Sequence, residues 1–173
     1  WRLHYNLIQA ANYIIDNAEK TPVAKENIDL TIAQARFWRA YAYYYLVRVF
    51  GPLPINLHNE DDNRPTKLTD VQGVYDLIVS DLEAVDAVNL PTHYTSAPAQ
   101  LFGVDVYVTQ QAVKSTLSAV YMSMAGYPLN KGQEYYAKAA EKAKEVIDGV
   151  NSGKYNATMD ADWRNVYSYG NNY

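Results

Sequence analysis

Three histidines, 19 acidic side chains, 17 tyrosines and three tryptophans are the groups here that could do chemistry or grip a ligand. The sequence has no cysteine, so it forms no disulfide, thiolate nucleophile or thiolate metal site. His4, His58 and His93 stand far apart, without metal-ligand spacing. No G-x-S-x-G elbow, P-loop or G-x-G-x-x-G occurs. The run Asn59-Glu60-Asp61-Asp62-Asn63 is acidic enough to suggest calcium, but it lacks the alternating ligands and fixed glycine of an EF-hand. It reads as a solvated acidic turn. Glycoside hydrolysis would need two carboxyl groups, one with its pKa raised by an apolar pocket. The Asp and Glu residues fall mostly on predicted outer helix faces, and the sequence leaves open which of them meet in space. No pattern asks for a cofactor or a metal, and the expected activity is non-enzymatic. Asn156-Ala157-Thr158 is a glycosylation sequon of a kind that recurs by chance.

The excess of tyrosine over the three phenylalanines is the compositional oddity. A phenol ring carries apolar area with a polar tip, which suits wet helix interfaces and also stacks on sugar rings. Packing between helices is the broader of the two uses. The 173 residues can bury a core of their own. A net charge of −4 argues against a general electrostatic grip on nucleic acid. No apolar run approaches the ~20 residues needed to span a bilayer as a helix. The sequence starts at Trp1 and closes on Ser168-Tyr169-Gly170-Asn171-Asn172-Tyr173, and the expectation is one region, 1–173, of a longer protein.

The elements that must position these rings are helices. The stretch from Ala35 to Phe50 predicts a central one. Ala35, Trp38, Ala42, Tyr45 and Val49 repeat at 3, 4, 3, 4; Phe37, Tyr41 and Tyr44 make a second apolar row, and Ala40, Tyr43 and Val47 a third. Such a helix is expected to be packed on nearly every side. Gly51 can take the left-handed C′ position, and Pro52 and Pro54 forbid continuation. Arg36, Arg39 and Arg48 should snorkel or pair with carboxylates. Asn27 or Asp29 can cap this helix after the break at Thr21-Pro22.

Helix one is predicted over Trp1 to about Glu19. Leu3, Leu7, Ala11 and Ile14 form one of its rows; Tyr5, Ile8, Asn12 and Ile15 form the neighbouring one. Asn12 there needs buried partners. Thr69-x-x-Gln72 is a capping box opening helix three, whose stripe is Val71, Val74, Ile78, Leu82 and Val85, with Asp70, Asp76 and Asp81 outside. His93 to Val108 is a polar insertion holding Tyr94, Phe102 and Tyr107, long for a helix–helix connection. Helix four runs from Thr109 or Gln110 to Ala125, with Val113, Leu117, Val120 and Met124 apolar and Ala112, Thr116, Ala119 and Ser123 as a small-residue row. Helix five, Glu134 to Val150, points Tyr136, Ala140, Ala143, Ile147 and Val150 inward, and Lys138, Glu141, Lys142, Lys144 and Glu145 outward. The expected fold class is all-α: antiparallel helix hairpins of the tetratricopeptide-repeat (TPR) type with long loops. The exits Phe50-Gly51-Pro52-Leu53 and Ala125-Gly126-Tyr127-Pro128-Leu129 echo each other as a loose repeat would.

The central stretch, Ala35-Arg36-Phe37-x-Arg39-Ala40-Tyr41-x-Tyr43-Tyr44-x-Leu46-Val47-x-x-Phe50-Gly51-x-Leu53-Pro54, resembles the signature helix of the SusD/RagB family of outer-membrane nutrient-binding lipoproteins. Trp1-x-x-x-Tyr5-x-x-Ile8-x-x-Ala11-Asn12, Val74-Tyr75-Asp76-Leu77-Ile78 and Tyr136-Ala137-Lys138-Ala139-Ala140 are similar to its flanking helices, as are Gly153-Lys154-Tyr155 and Asp162-Trp163. Phe102-Gly103-Val104-Asp105-Val106-Tyr107 departs from the Gly-Arg-like entry expected before helix four. The resemblance implies a TPR-like helical core and binding of starch or another glycan at the bacterial surface, without bond cleavage. It also implies delivery to a SusC-like TonB-dependent outer-membrane transporter, and a lipid anchor outside this sequence. The same likeness places ligand-contacting aromatics near Trp1, His4 and Tyr5; helix packing is the plainer role for these three. A peptide-binding member of the family and a bare TPR-type interaction module are the alternatives.

Overall fold

In the computed structural model the residues described are 1–58, 67–95, 99–101, 104–157, 161–162 and 164. The Asn59–Asn63 turn, Phe102, Gly103, Thr158, Trp163 and the stretch 168–173 lie outside them. Five helices follow one another: α1 Arg2–Asn17, continued by a 3₁₀ turn Ala18–Lys20, then α2 Lys25–Phe50, α3 Val71–Val88, α4 Gln110–Ala125 and α5 Gln133–Asn151. Among the described residues, extended pairing is confined to a ribbon of β1 Gln100–Leu101 against β2 Val104–Asp105 and to the bridge Leu53–Thr69. Each helix packs against its neighbour in sequence, α1 on α2, α2 on α3, α3 on α4, α4 on α5, giving the predicted all-α array of hairpins.

The core runs along α2 and α3. Tyr43, Leu46 and Ala40 of α2 meet Val74, Ile78, Leu82 and Val85 of α3 and Val113, Leu117, Val120 and Met124 of α4, all fully buried. The stripes predicted for helices three and four are therefore the ones used. In α1 the inward row is Ile8, Ala11 and Asn12; Leu3 and Ile14, from the competing row, are exposed. Asn12 finds the partners its burial demands: its amide donates to the Asn56 carbonyl at 3.0 Å and accepts from Arg39 Nη1 at 2.9 Å.

Arg39 is buried and grips Asp81 through two parallel hydrogen bonds, Nε–Oδ2 at 2.7 Å and Nη2–Oδ1 at 2.8 Å. Asp81 thus corrects the expectation that it lies outside. It follows Val74 by seven residues, about 20° round the helix from it, so the stripe carries it inward. A buried carboxylate persists there because a guanidinium meets both its oxygens. A second ionic cluster joins α3, α4 and α5: Lys114 Nζ reaches Asp86 at 2.9 Å and Glu145, and Lys142 Nζ reaches Asp86 at 2.7 Å and Glu145 at 2.9 Å. Burial opposes the charge on Asp86, but hydrogen bonds from Lys142 and Lys114 outweigh it and hold its carboxyl below the usual range. Lys142 and Glu145 therefore belong to an interhelical network and not to the solvated face.

Helix starts also differ in detail. Thr69 exchanges both backbone hydrogen bonds with Leu53, at 2.7 and 3.0 Å, which keeps it extended. The cap of α3 falls on Asp70, whose Oδ1 accepts from Gly73 N at 2.8 Å, and Gln72 turns to Asp76 instead of closing a capping box. α2 begins two residues before Asn27, with Ala24 at the cap position and no side-chain cap, while Asp29 pairs with Lys25 at 2.6 Å. The two helix exits do not share a conformation: Gly51 has φ 73°, whereas Gly126 is extended.

In α5 the side facing α4 holds Tyr135, Ala139, Lys142, Val146 and Gly149; Tyr136, Ala140 and Ile147 are exposed. The row predicted to face inward is adjacent to the one that does. Lys142 reaching Asp86 and Ser118 Oγ donating to the Ala139 carbonyl at 2.8 Å fix that rotation. Gly149 is required there, because a Cβ would meet the Tyr155 ring at 2.2 Å.

Candidate functional site

The antiparallel hairpin of α1 and α2 brings the start of α1 beside the end of α2. Trp1, His4 and Tyr5 therefore meet Tyr45 and Phe50. The Trp1 ring lies 4.9 Å from Tyr5 and edge-on to Phe50 at 5.0 Å. His4 stacks on Tyr45 at 4.4 Å, with the planes 11° apart. The Tyr5 hydroxyl donates to the Pro54 carbonyl at 2.8 Å, and its ring sits edge-on to Tyr43. Burial, then the neighbouring Tyr43, pushes the Tyr5 phenol well above its ordinary pKa. Tyr5 is thus a tether that seats the Pro52–Asn56 exit, while Trp1, 53% exposed, keeps ring surface open. His4 Nδ1 is buried without a hydrogen-bond partner.

The aromatic surface continues along α2. Tyr45 and Tyr41 are 45% and 44% exposed, and Tyr41 stands 5.9 Å from the exposed Trp38. Phe37 underlies both, edge-on to Trp38 at 5.4 Å and stacked on Tyr41 at 6.1 Å. From Trp38 to Phe50 the strip runs about 18 Å at 1.5 Å per residue. This corrects the expectation that α2 is enclosed on nearly every side: the face with Trp38, Tyr41, Tyr45 and Val49 is open. Spacing alone could not choose it, because all three rows of α2 are apolar.

Past Trp38 the strip opens into a groove of about 360 Å³ between α1 and α2, walled by Leu7, Ile14, Ala35 and Trp38 and closed by Val106 and Tyr107 of the insertion. Gln34 holds the insertion there. Its Nε2 donates to the Val108 carbonyl at 3.0 Å and to Tyr94 Oη at 3.2 Å, and its Oε1 accepts from Val108 N at 2.8 Å. Tyr94 is buried, with its own hydroxyl donating to Val108 O at 2.9 Å and its N–H to Asp105 Oδ1 at 2.9 Å. Local sequence pattern does not mark Gln34, because its partners lie 60 and 74 positions away. Every polar atom of that amide is engaged, so the groove offers mostly apolar wall.

No group of three or more His, Asp or Glu is arranged for a metal among the described residues. What the surface can offer a ligand is ring faces and edges on a rigid helix, with the exposed Arg48 guanidinium, which lies 4.0 Å over the Tyr44 ring, at its margin.

The SusD-like family described as "Starch-binding associating with outer membrane" matches residues 1–122. A SusD-like protein of Bacteroides ovatus is 28% identical over 180 residues, covering 99% of this chain and 30% of the relative. A SusD superfamily structure from Parabacteroides distasonis superposes with a TM-score of 0.79 at 28% identity, over 95% of this chain and 33% of that one. A structure solved with xylogluco-oligosaccharide has TM-score 0.79 at 26% identity, over 99% of this chain and 32% of that one. The chain thus spans about 30% of the curated relative's length. With the family matched over most of its residues and the helical array superposing on solved members, this chain belongs to the SusD-like family.

Proposed function

We propose that this chain is the TPR-like helical region of a longer cell-surface protein that binds glycan. The observation that carries the reading is the open aromatic strip from Trp1 through Tyr45 and Tyr41 to Trp38, on a chain whose superposable relative was solved with xylogluco-oligosaccharide. Function here is recognition: ring faces stack on the apolar faces of sugars, polar groups at the margin bind hydroxyls, and no bond is broken. Trp1 and His4 are the residues at the end of the strip that contribute, with Tyr5 positioning the segment beside them. In the family setting such a protein passes its glycan to a SusC-like TonB-dependent transporter and is held at the outer membrane by a lipid anchor elsewhere in the protein. The mostly apolar groove beside Trp38 favours one second reading, a peptide whose apolar side chain enters it.

Calorimetric titration of the full-length protein against soluble polysaccharides, oligosaccharides and short peptides tests both. The expected result is saturable heat with one glycan class and no release of reducing ends, weakened at least about tenfold by Trp1→Ala. Heat from peptides alone moves the assignment to the second reading. Release of reducing ends overturns the non-enzymatic one.

A further inference from the structure

The α1–α2 hairpin is cationic in an acidic protein. Residues 1–15 and 30–58 hold four arginines and no Asp or Glu, so all 19 acidic side chains of a sequence with net charge −4 lie elsewhere. These two segments are the ones that carry the aromatic strip. Two of the arginines are answered on the core side. Asp81 meets the fork of Arg39 with both oxygens, and Arg36 stands 4.0 Å from the same carboxylate.

Arg48 differs. It is exposed, and no carboxylate among the described residues lies within ion-pair reach of it. Yet it is held in place. Its Nε donates to the Tyr44 carbonyl at 3.1 Å, and its guanidinium lies 4.0 Å over the Tyr44 ring. These contacts fix the plane of the group and leave the Nη1 and Nη2 N–H groups uncommitted among the described residues. Arg48 follows Tyr41 by seven residues and Tyr45 by three, about 20° and 60° round the helix, so it flanks the strip. The end of a helix favours a cation at this position. That does not explain why the strip lacks acids. The exposed faces of α5 and of the first turn of α2 are laced with pairs: Glu134–Lys138, Lys144–Asp148 and Lys25–Asp29.

We propose that the glycan taken by this strip is anionic, and that Arg48 binds its carboxylate or sulfate-ester group. The inference rests on the glycan reading and names the substrate class within it. Ring faces accept any pyranose with an apolar face, so they do not discriminate charge. A guanidinium fork offers two parallel N–H groups to two oxygens of one anionic group, as Arg39 does to Asp81. A hairpin free of acids keeps the potential beside the rings positive, which draws in a polyanion.

Calorimetric titration of the full-length protein against matched glycans tests it. The pairs are polygalacturonate with its carboxyl-reduced form, and a sulfated galactan with its desulfated form. In one pair the anionic member should bind about tenfold or more tighter than the neutral one, and the pair that responds identifies the group. Arg48→Gln should abolish that preference and Arg48→Lys should keep part of it, both melting near the parent protein. Raising salt from about 50 to about 500 mM should weaken binding by the parent protein and leave Arg48→Gln nearly unaffected. Equal or weaker affinity for the anionic member, or a preference that survives Arg48→Gln, overturns the proposal and leaves the glycan reading standing. Silence from every glycan removes that reading and this proposal with it.

Discussion

Four tyrosines stand within five residues on α2, and they divide into two kinds. Tyr43 and Tyr44 face the core. Tyr43 Oη donates to the Asn56 carbonyl at 3.1 Å and accepts from Asn56 N at 2.8 Å; Tyr44 Oη donates to the Ala119 carbonyl at 3.1 Å and lies 2.7 Å from Ser123 Oγ. Tyr41 and Tyr45 lie on the open face with their rings half exposed. The buried pair shows that tyrosine is admitted to a core when its hydroxyl is met by backbone groups, so the ring serves as a large apolar body and the hydroxyl as a clamp on an adjoining loop or helix. The open pair uses the same chemistry in reverse, with the ring surface left for an outside partner. The small-residue row of α4 belongs to the first arrangement, since it makes room for the Tyr44 hydroxyl at Ala119 and Ser123.

Perturbations of the two faces should therefore differ in kind. The largest loss is expected from Arg39→Ala, which strands the buried Asp81 carboxylate and the Asn12 amide; unfolding free energy should fall by roughly 3–5 kcal/mol, read as a lower urea midpoint with little change in the m-value. Next is alkaline pH. Burial, partly offset by the Asn56 backbone hydrogen bond and by Arg39, pushes the Tyr43 phenol up to about 12 from 10.0. The folded state then keeps a proton that the unfolded state releases, so this stability is fully present below pH 10 and is lost as pH rises towards 12. Roughly 3 kcal/mol is at stake, measurable as a fall in unfolding free energy between pH 9 and 12. Tyr43→Phe should cost about 1–2 kcal/mol at neutral pH, because Asn56 N–H loses its acceptor, and should lessen the alkaline fall, to which the buried Tyr5 phenol also contributes. Tyr41→Phe should leave stability at neutral pH unchanged within about 0.5 kcal/mol. The smallest stability effect belongs to Tyr45→Ala, within about 1 kcal/mol by thermal melting. Under the proposed function the same change weakens glycan binding. A large drop in melting temperature with unchanged affinity would assign Tyr45 to the scaffold and end the contrast between the two faces.

Much of the architecture was legible in the residues. The order of five helices, the stripes of α3 and α4, the stop at Gly51 and the need of Asn12 for buried partners all follow from period, cap and breaker chemistry acting over a few residues. The candidate site was legible only in part. Trp1, His4 and Tyr5 follow from a family resemblance, and the structure does gather them, but the partners that complete the strip, Trp38, Tyr41 and Tyr45, lie on rows whose spacing points to the core. Asp81 was misplaced for the same reason: a charge beside an apolar stripe looks external until its counter-ion is known, and Arg39 lies 42 positions away.

What the sequence determined by itself is local. Helical periodicity, Gly and Pro punctuation and the lack of cysteine act through the chain's immediate neighbours, so they can be read without coordinates. What only the tertiary structure decided is rotation and pairing. α2 and α5 each carry more apolar rows than one neighbour can cover. Their registers were chosen by distant groups: the Asp81 carboxylate meeting Arg39, the Asn56 backbone meeting Tyr43, and Asp86 meeting Lys142. Burial energy scales with apolar area and is nearly indifferent among rows of equal apolarity. The choice therefore falls to the buried polar groups, which are satisfied in one rotation and orphaned in the others.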